Sequence, residues 1–213
     1  RRVLFRSEQR DGEIQKVGIE LIGKAKDLAA DLGQKVVAVL LGHNIKDKAE
    51  VLIQHGADEV VVVDHEMLAE YVTEPYTKAL YKVIKECEPE IMLYGASSIG
   101  RDLAPRVSAR VHTGLTADCT KLDIDPETKL LAMTRPAFGG NIMATILCEN
   151  HRPQMATVRP GVMKALPKDV NAKGEVKEIK VELTDSDMNV KIREVIKAEK
   201  KAVDITEAKY LVS

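Results

Sequence analysis

The run Val36–Leu41 (VVAVLL) is apolar at every position, and it constrains this chain more than any other stretch. A strand with one solvated face alternates apolar and polar residues. One that is apolar throughout needs cover on both faces, as in a parallel sheet. The neighbouring segments can supply that cover. Glu13–Leu32 predicts an amphipathic helix, with Val17, Leu21, Ala25, Leu28 and Leu32 spaced by three and four and Gly33 as its stop. Lys46–His55 predicts a short helix ended by Gly56, followed by a strand at Glu59–Val63. Pro75 opens a helix over Tyr76–Cys87, whose buried stripe is Tyr76, Leu80, Val83, Ile84 and Cys87. Pro89 stops it, and Ile91–Tyr94 is the next strand. Strands and helices in alternation predict βαβ units, hence an α/β three-layer sandwich with a parallel sheet between helices.

The start of the chain does not suit this scheme. Val3-Leu4-Phe5 is an apolar triplet between Arg1, Arg2 and Arg6, and unpartnered charges are costly to bury. Arg1–Ser7 is therefore expected to be partly non-native, standing where a first strand belongs.

After the strand at Ile91–Tyr94 comes Gly95-Ala96-Ser97-Ser98-Ile99-Gly100-Arg101-Asp102, leading into a helix over Ile99–Val111. Ser97 and Ser98 can cap that helix, as any βα loop requires. In open α/β sheets ligands bind at this end of the strands. With Arg101 and Arg106 on the helix, a phosphate or a partner's carboxylate is a second reading. The loop matches neither a G-x-G-x-x-G fingerprint nor a P-loop.

From Thr113 the texture changes. Thr113–Asp123, Lys129–Thr134, Asn141–Leu147 and Gln154–Val158 read as four short strands forming an antiparallel extension of the sheet. Lys164–Gly174 has linker composition, Glu175–Leu183 alternates as an edge strand, and Thr184 to Asp187 caps a short segment reaching Lys197. Glu194–Lys201 reads as a solvated charge run. Ala208–Ser213 reads as a strand cut off at the threshold of a second domain.

Within the antiparallel part, Met133–Met163 carries three Arg-Pro pairs at Arg135, Arg152 and Arg159, with Gly139–Gly140 before an apolar run. Proline holds the preceding arginine extended, and arginine presents a rigid fork that is always charged. The glycines permit a tight turn or the close approach of a flat ligand. The plainer reading is a hairpin with a glycine turn and surface arginines.

Other chemistry is sparse. Lys+Arg total 32 against 33 Asp+Glu, which gives no global charge for nucleic acid. No stretch reaches membrane-spanning length. Cys87, Cys119 and Cys148 are too scattered for a disulfide framework or a metal knuckle, and they suit a reducing, cytoplasmic setting. His43, His55, His65, His112 and His151 show no zinc spacing. Asp118-Cys119 could suggest a nucleophile, but a strand cysteine is usually inert packing. No catalytic constellation stands out, so the chain does not read as a self-contained enzyme.

Two long motifs carry a resemblance: LYGASSIGRDLAPRVSARVHTGLTADCTKLDID and TRPAFGGNIMATILCENHRPQMATVRPGVM. They resemble the electron transfer flavoprotein alpha subunit, and Glu8-Gln9-Arg10-Asp11-Gly12 is similar to that family's early loop. The resemblance implies a Rossmann-like domain of the adenine-nucleotide-hydrolase-like type over residues 8–183. It implies that residues 184–213 are a linker and the start of a truncated C-terminal FAD-binding domain, outside this sequence with its flavin residues. It further implies a heterodimer with a homologous beta subunit that exchanges electrons with an acyl-CoA dehydrogenase-type partner, fatty acid oxidation being the usual setting. The TRPAFGGN motif resembles the electron-bifurcating branch, in which the beta subunit holds a second FAD; otherwise it holds AMP. The resemblance places Arg135 over that flavin, with Phe138, Gly139, Gly140 and Asn141 beside it. Ser97, Ser98 and Arg101 are expected to contact an anion or partner. The alternatives are an autonomous nucleotide-binding module of universal-stress type and a purely architectural domain.

Overall fold

The computed structural model describes residues 2–196 and 208–212. In chain order the elements are β1 (Arg2–Ser7), β2 (Gln9–Arg10), β3 (Glu13–Ile14), α1 (Lys16–Leu32), β4 (Lys35–Gly42), α2 (Ala49–Gln54) and β5 (Glu59–Asp64). There follow α3 (Thr73–Cys87), β6 (Ile91–Gly95), α4 (Ser98–Val111), β7 (Leu115–Cys119), β8 (Lys121–Ile124), β9 (Leu131–Ala137), β10 (Ile142–Ile146), β11 (Gln154–Val158) and β12 (Glu175–Glu178).

Seven strands form one sheet in the order β12-β5-β4-β1-β6-β11-β7, with every neighbouring pair parallel. The apolar run in β4 serves both sides of it. Val36, Ala38 and Leu40 face Leu21, Ile22, Leu28 and Leu52 of α1 and α2, whereas Val37, Val39 and Leu41 join Tyr76, Leu80, Val83 and Leu103 of α3 and α4. Each such side chain, taken fully out of water, contributes roughly 1.5–3 kcal/mol before entropy is charged against it. This is the three-layer α/β sandwich that the alternation predicts. Gly33 ends α1 in the left-handed conformation at φ 63°.

Three expectations are corrected. Arg2–Ser7 is itself the middle strand of the sheet, with Val3, Leu4 and Phe5 fully buried between β4 and β6. Its buried arginine is tolerated because Arg6 has a partner: the Glu8 carboxylate lies 3.2 Å from its guanidinium. The residues after Thr113 divide instead of forming one antiparallel extension. β7 and β11 complete the parallel sheet, and β8, β9 and β10 form a separate antiparallel sheet in the order β10-β9-β8. Leu122, Leu131 and Met133 fasten that second sheet to the α1 side of the core.

The stretch of linker composition is laid against α1 and α2. The Asp169 N–H donates to the Gln54 carbonyl at 2.8 Å, and a Cβ on Gly23 would lie 2.2 Å from the Lys164 carbonyl oxygen. That contact is why α1 carries a glycine there. Residues 208–212, expected to begin a strand, form none. Of the charge run expected over Glu194–Lys201, only residues 194–196 fall within the described residues, and they are exposed. Elsewhere Thr184 and Asp187 form a reciprocal cap, and β12 pairs with β5 as an edge strand. Among the described residues, no helix is long and apolar enough to cross a membrane.

Candidate functional site

The site is built on the hairpin of β9 and β10, where Arg135 pairs with Ala144 and Ala137 with Ile142. The tip is a tight turn, Phe138–Gly140, with φ values of 48°, 69° and 93°. Three consecutive left-handed residues explain the glycine pair, and Phe138 is held in the same region with 81% of the residue exposed. A Cβ on Gly139 or Gly140 would meet nothing within 4 Å, so the turn presents bare backbone to solvent.

A concavity of about 400 Å³ opens there, lined by Arg135, Pro136, Ala137, Phe138, Gly139, Gly140 and Arg159. Four of the five hairpin residues expected at the site line it together. Asn141 closes the turn through its N–H to the Phe138 carbonyl but does not line the concavity. Of the lining residues not expected at the site (Pro136, Ala137 and Arg159), Arg159 is the charged one. Its signal was the Arg-Pro spacing, which gives no sign that Arg135 and Arg159 converge.

The two arginines differ in their bonding. Arg159 follows β11 and forms a double hydrogen bond with Asp118, from Nε to Oδ1 at 3.2 Å and from Nη2 to Oδ2 at 2.7 Å. Arg101 approaches the same carboxylate at 3.8 Å. Arg135 places its Nε in a buried position with no hydrogen-bond partner among the described residues. The Asp118 carboxyl is held below its ordinary range, first by the Arg159 hydrogen bond, with Arg101 and Arg135 adding attraction. Three guanidinium groups around one carboxylate leave this corner positive. Next to Asp118, burial pushes the Cys119 thiol up to about 11, which leaves it a poor nucleophile.

The residues at the start of α4 separate into two groups. Ser97 caps the helix, its Oγ accepting the Gly100 N–H at 3.1 Å, and its hydroxyl donates to the Glu8 carboxylate. Ser98 Oγ accepts from Arg10, which also bonds Glu8 at 3.0 Å. Arg101 turns the other way, donating from Nε to the Ala96 carbonyl at 2.8 Å with its free end towards Asp118. Arg106 pairs with Glu74 at 2.8 Å. Glu8 thus meets Ser97 directly and Ser98 through Arg10.

A seven-stranded parallel sheet with an arginine-lined hairpin outside it defines a doubly wound α/β domain that presents a cationic site. A family model described as the electron transfer flavoprotein domain matches residues 3–184, starting inside β1, and the chain belongs to that family. It is 52% identical over 209 residues to the electron transfer flavoprotein subunit alpha of Clostridium acetobutylicum, covering 97% of this chain and 62% of that protein. It is 51% identical to Protein FixB of Clostridium saccharobutylicum, covering 97% and 61%. Against the lactate dehydrogenase (NAD(+),ferredoxin) subunit LctC of Acetobacterium woodii it is 47% identical, over 95% of this chain and 48% of the relative. The chain spans about three fifths of the length of the first two of these curated relatives.

Proposed function

We propose that this chain is the alpha-side α/β domain of a heterodimeric electron transfer flavoprotein, and that it contributes Arg135 to a flavin held mostly by a homologous beta subunit. The observation that carries the reading is the buried, unpartnered Arg135 Nε beside the open glycine turn. A buried donor without an acceptor is costly, so the Arg135 side chain has reason to swing its guanidinium towards an anionic group seated in the concavity. The residues present fit one edge of a flat, electron-rich group: a bare backbone ledge at Gly139–Gly140, the face of Phe138, and two guanidinium groups. They do not enclose a whole dinucleotide, so the rest of such a site would have to come from another subunit.

The flavin, when bound, would supply the uptake and release of electrons. Arg135 would stabilise negative charge there, Gly139 and Gly140 would admit the ring edge closely, and the exposed Phe138, Ile142 and Met143 would exclude water once a partner covers them. In this reading the main electron-carrying FAD belongs to a C-terminal domain following residue 183. The beta subunit holds either a second FAD, giving flavin-based electron bifurcation, or AMP, in which case Arg135 is a structural contact. The bifurcating form is supported by the name of LctC above, which sets NAD(+) and ferredoxin side by side. An acyl-CoA dehydrogenase-type electron donor, and a quinone, ferredoxin or NADH partner, belong to the same proposal, as does a cytoplasmic location.

Co-expression with a beta subunit, followed by a flavin absorbance spectrum of the purified complex, tests it. Co-purification with bound flavin is the expected result. A chain that stays alone and binds ATP or AMP by itself would overturn the reading in favour of an autonomous nucleotide-binding module.

A further inference from the structure

We propose that Asp118 is a positioning residue of this concavity, fixing Arg159 on its wall and setting how much positive charge it presents. The inference rests on the reading of Arg135 as facing a partner-held flavin.

Asp118 is held in an unusual way. Its φ is 59°, in the left-handed region that most side chains avoid. It lies where the pairing of β7 with β11 shifts register between Ala156 and Val158, and its N–H donates to Thr157 Oγ1 at 2.8 Å. Such a bulge re-aims the side chain at that position. Here the carboxylate meets the Arg159 guanidinium fork to fork, a geometry that fixes orientation as well as charge. The Arg159 backbone is tied to the same segment, its N–H donating to the Cys119 carbonyl at 2.9 Å. Arg159 is therefore anchored at both ends by Asp118–Cys119, whereas the Arg135 Nε is unbonded.

The carboxylate does two opposing things. It holds a second cation at the concavity, and it cancels part of that cation's field. An Asp–Arg latch serving only to join β7 to β11 would have neither effect on a group seated in the concavity.

The test is the midpoint potential of the partner-held flavin in the assembled heterodimer carrying Asp118→Asn. Asparagine tolerates the left-handed backbone and retains one acceptor for Arg159, so the fold is kept while the negative charge is removed. The expected result is an upward shift, equivalent to about three- to tenfold in the reduction equilibrium after solvent screening. Arg159→Ala, at a half-exposed position, is expected to shift the potential downward. Unchanged potentials in both variants, alongside a shift in Arg135→Ala, would leave Asp118 as a latch and overturn the inference alone. No shift in Arg135→Ala either would overturn the underlying reading as well.

Discussion

Arg6 and Glu8 form an ion pair at 3.2 Å in which each side chain is only 2% exposed. The pair sits at the carboxyl end of the middle strand, with Arg10 and Ser97 bonded to the same carboxylate and the Arg6 guanidinium 5.9 Å from the centre of the Tyr76 ring. Burial lowers the Arg6 pKa from its ordinary value, and Glu8 works against that shift. Removing one member of a buried pair leaves the other charge without compensation. Glu8→Ala is expected to cost about 3–5 kcal/mol of stability, read as a lower urea midpoint at unchanged slope. A loss below about 1 kcal/mol would show that Arg6 finds water instead.

Gly100 and Gly139 respond to alanine for different reasons. A Cβ on Gly100 would fall 1.8 Å from the Gly95 carbonyl oxygen, because the first turn of α4 is packed directly on the end of β6. Backbone must move to admit it, so Gly100→Ala is expected to lose at least about 3 kcal/mol, the upper end for an overpacked core. Gly139 has open space but φ 69°, so Gly139→Ala should cost only about 1–2 kcal/mol of backbone strain. Paired denaturation curves give the order, and equal losses would contradict it.

Cys119 supplies a pH-dependent prediction. Its folded pKa of about 11 lies above the ordinary 9.0, so the folded state retains the thiol proton more tightly than the unfolded chain does. The stability from this group is complete below about pH 9 and is lost as pH rises towards 11. Comparing the pH dependence of unfolding with that of Cys119→Ala isolates the contribution. The native protein should see steeper loss above pH 9, and parallel curves would show that the thiol is not desolvated. At neutral pH the shift leaves about a hundredfold fewer thiolates, so alkylation of Cys119 should wait on unfolding.

The parts of this structure legible in the sequence are those decided locally. The apolar run of β4, the Gly33 stop of α1, the Ser97 cap and the glycine turn at Gly139–Gly140 are each specified within a few residues. The partner of Arg6 is only two residues on, but what turns the Glu8 carboxylate inward is tertiary, since Ser97 reaches it from 89 residues away. The parallel insertion of β11 between β6 and β7 also has no local signature, since a five-residue strand pairs equally well in either direction. In the sequence Asp118 stands out only by its cysteine neighbour. Its place among the arginines depends on a bulge and on Arg159, 41 residues later, so composition and spacing could not reveal it.

Arg135 carries the functional reading, and its substitution tests that reading most directly. A flavin that gains electrons gains negative charge, which a nearby fixed guanidinium stabilises. At 4 Å and an effective dielectric of 20 a unit charge is worth about 4 kcal/mol. For one electron that is a ceiling of roughly 180 mV, which exposure at the glycine turn reduces. Arg135→Ala is therefore expected to lower the midpoint potential of the partner-held flavin by tens of millivolts, up to about that ceiling. Arg135→Lys retains the charge without the planar fork and should restore only part of the shift. A potential unmoved by either substitution, in a heterodimer that still assembles, would remove Arg135 from the flavin. The unpartnered Nε would then be answered by a partner side chain, as expected if the beta subunit holds AMP.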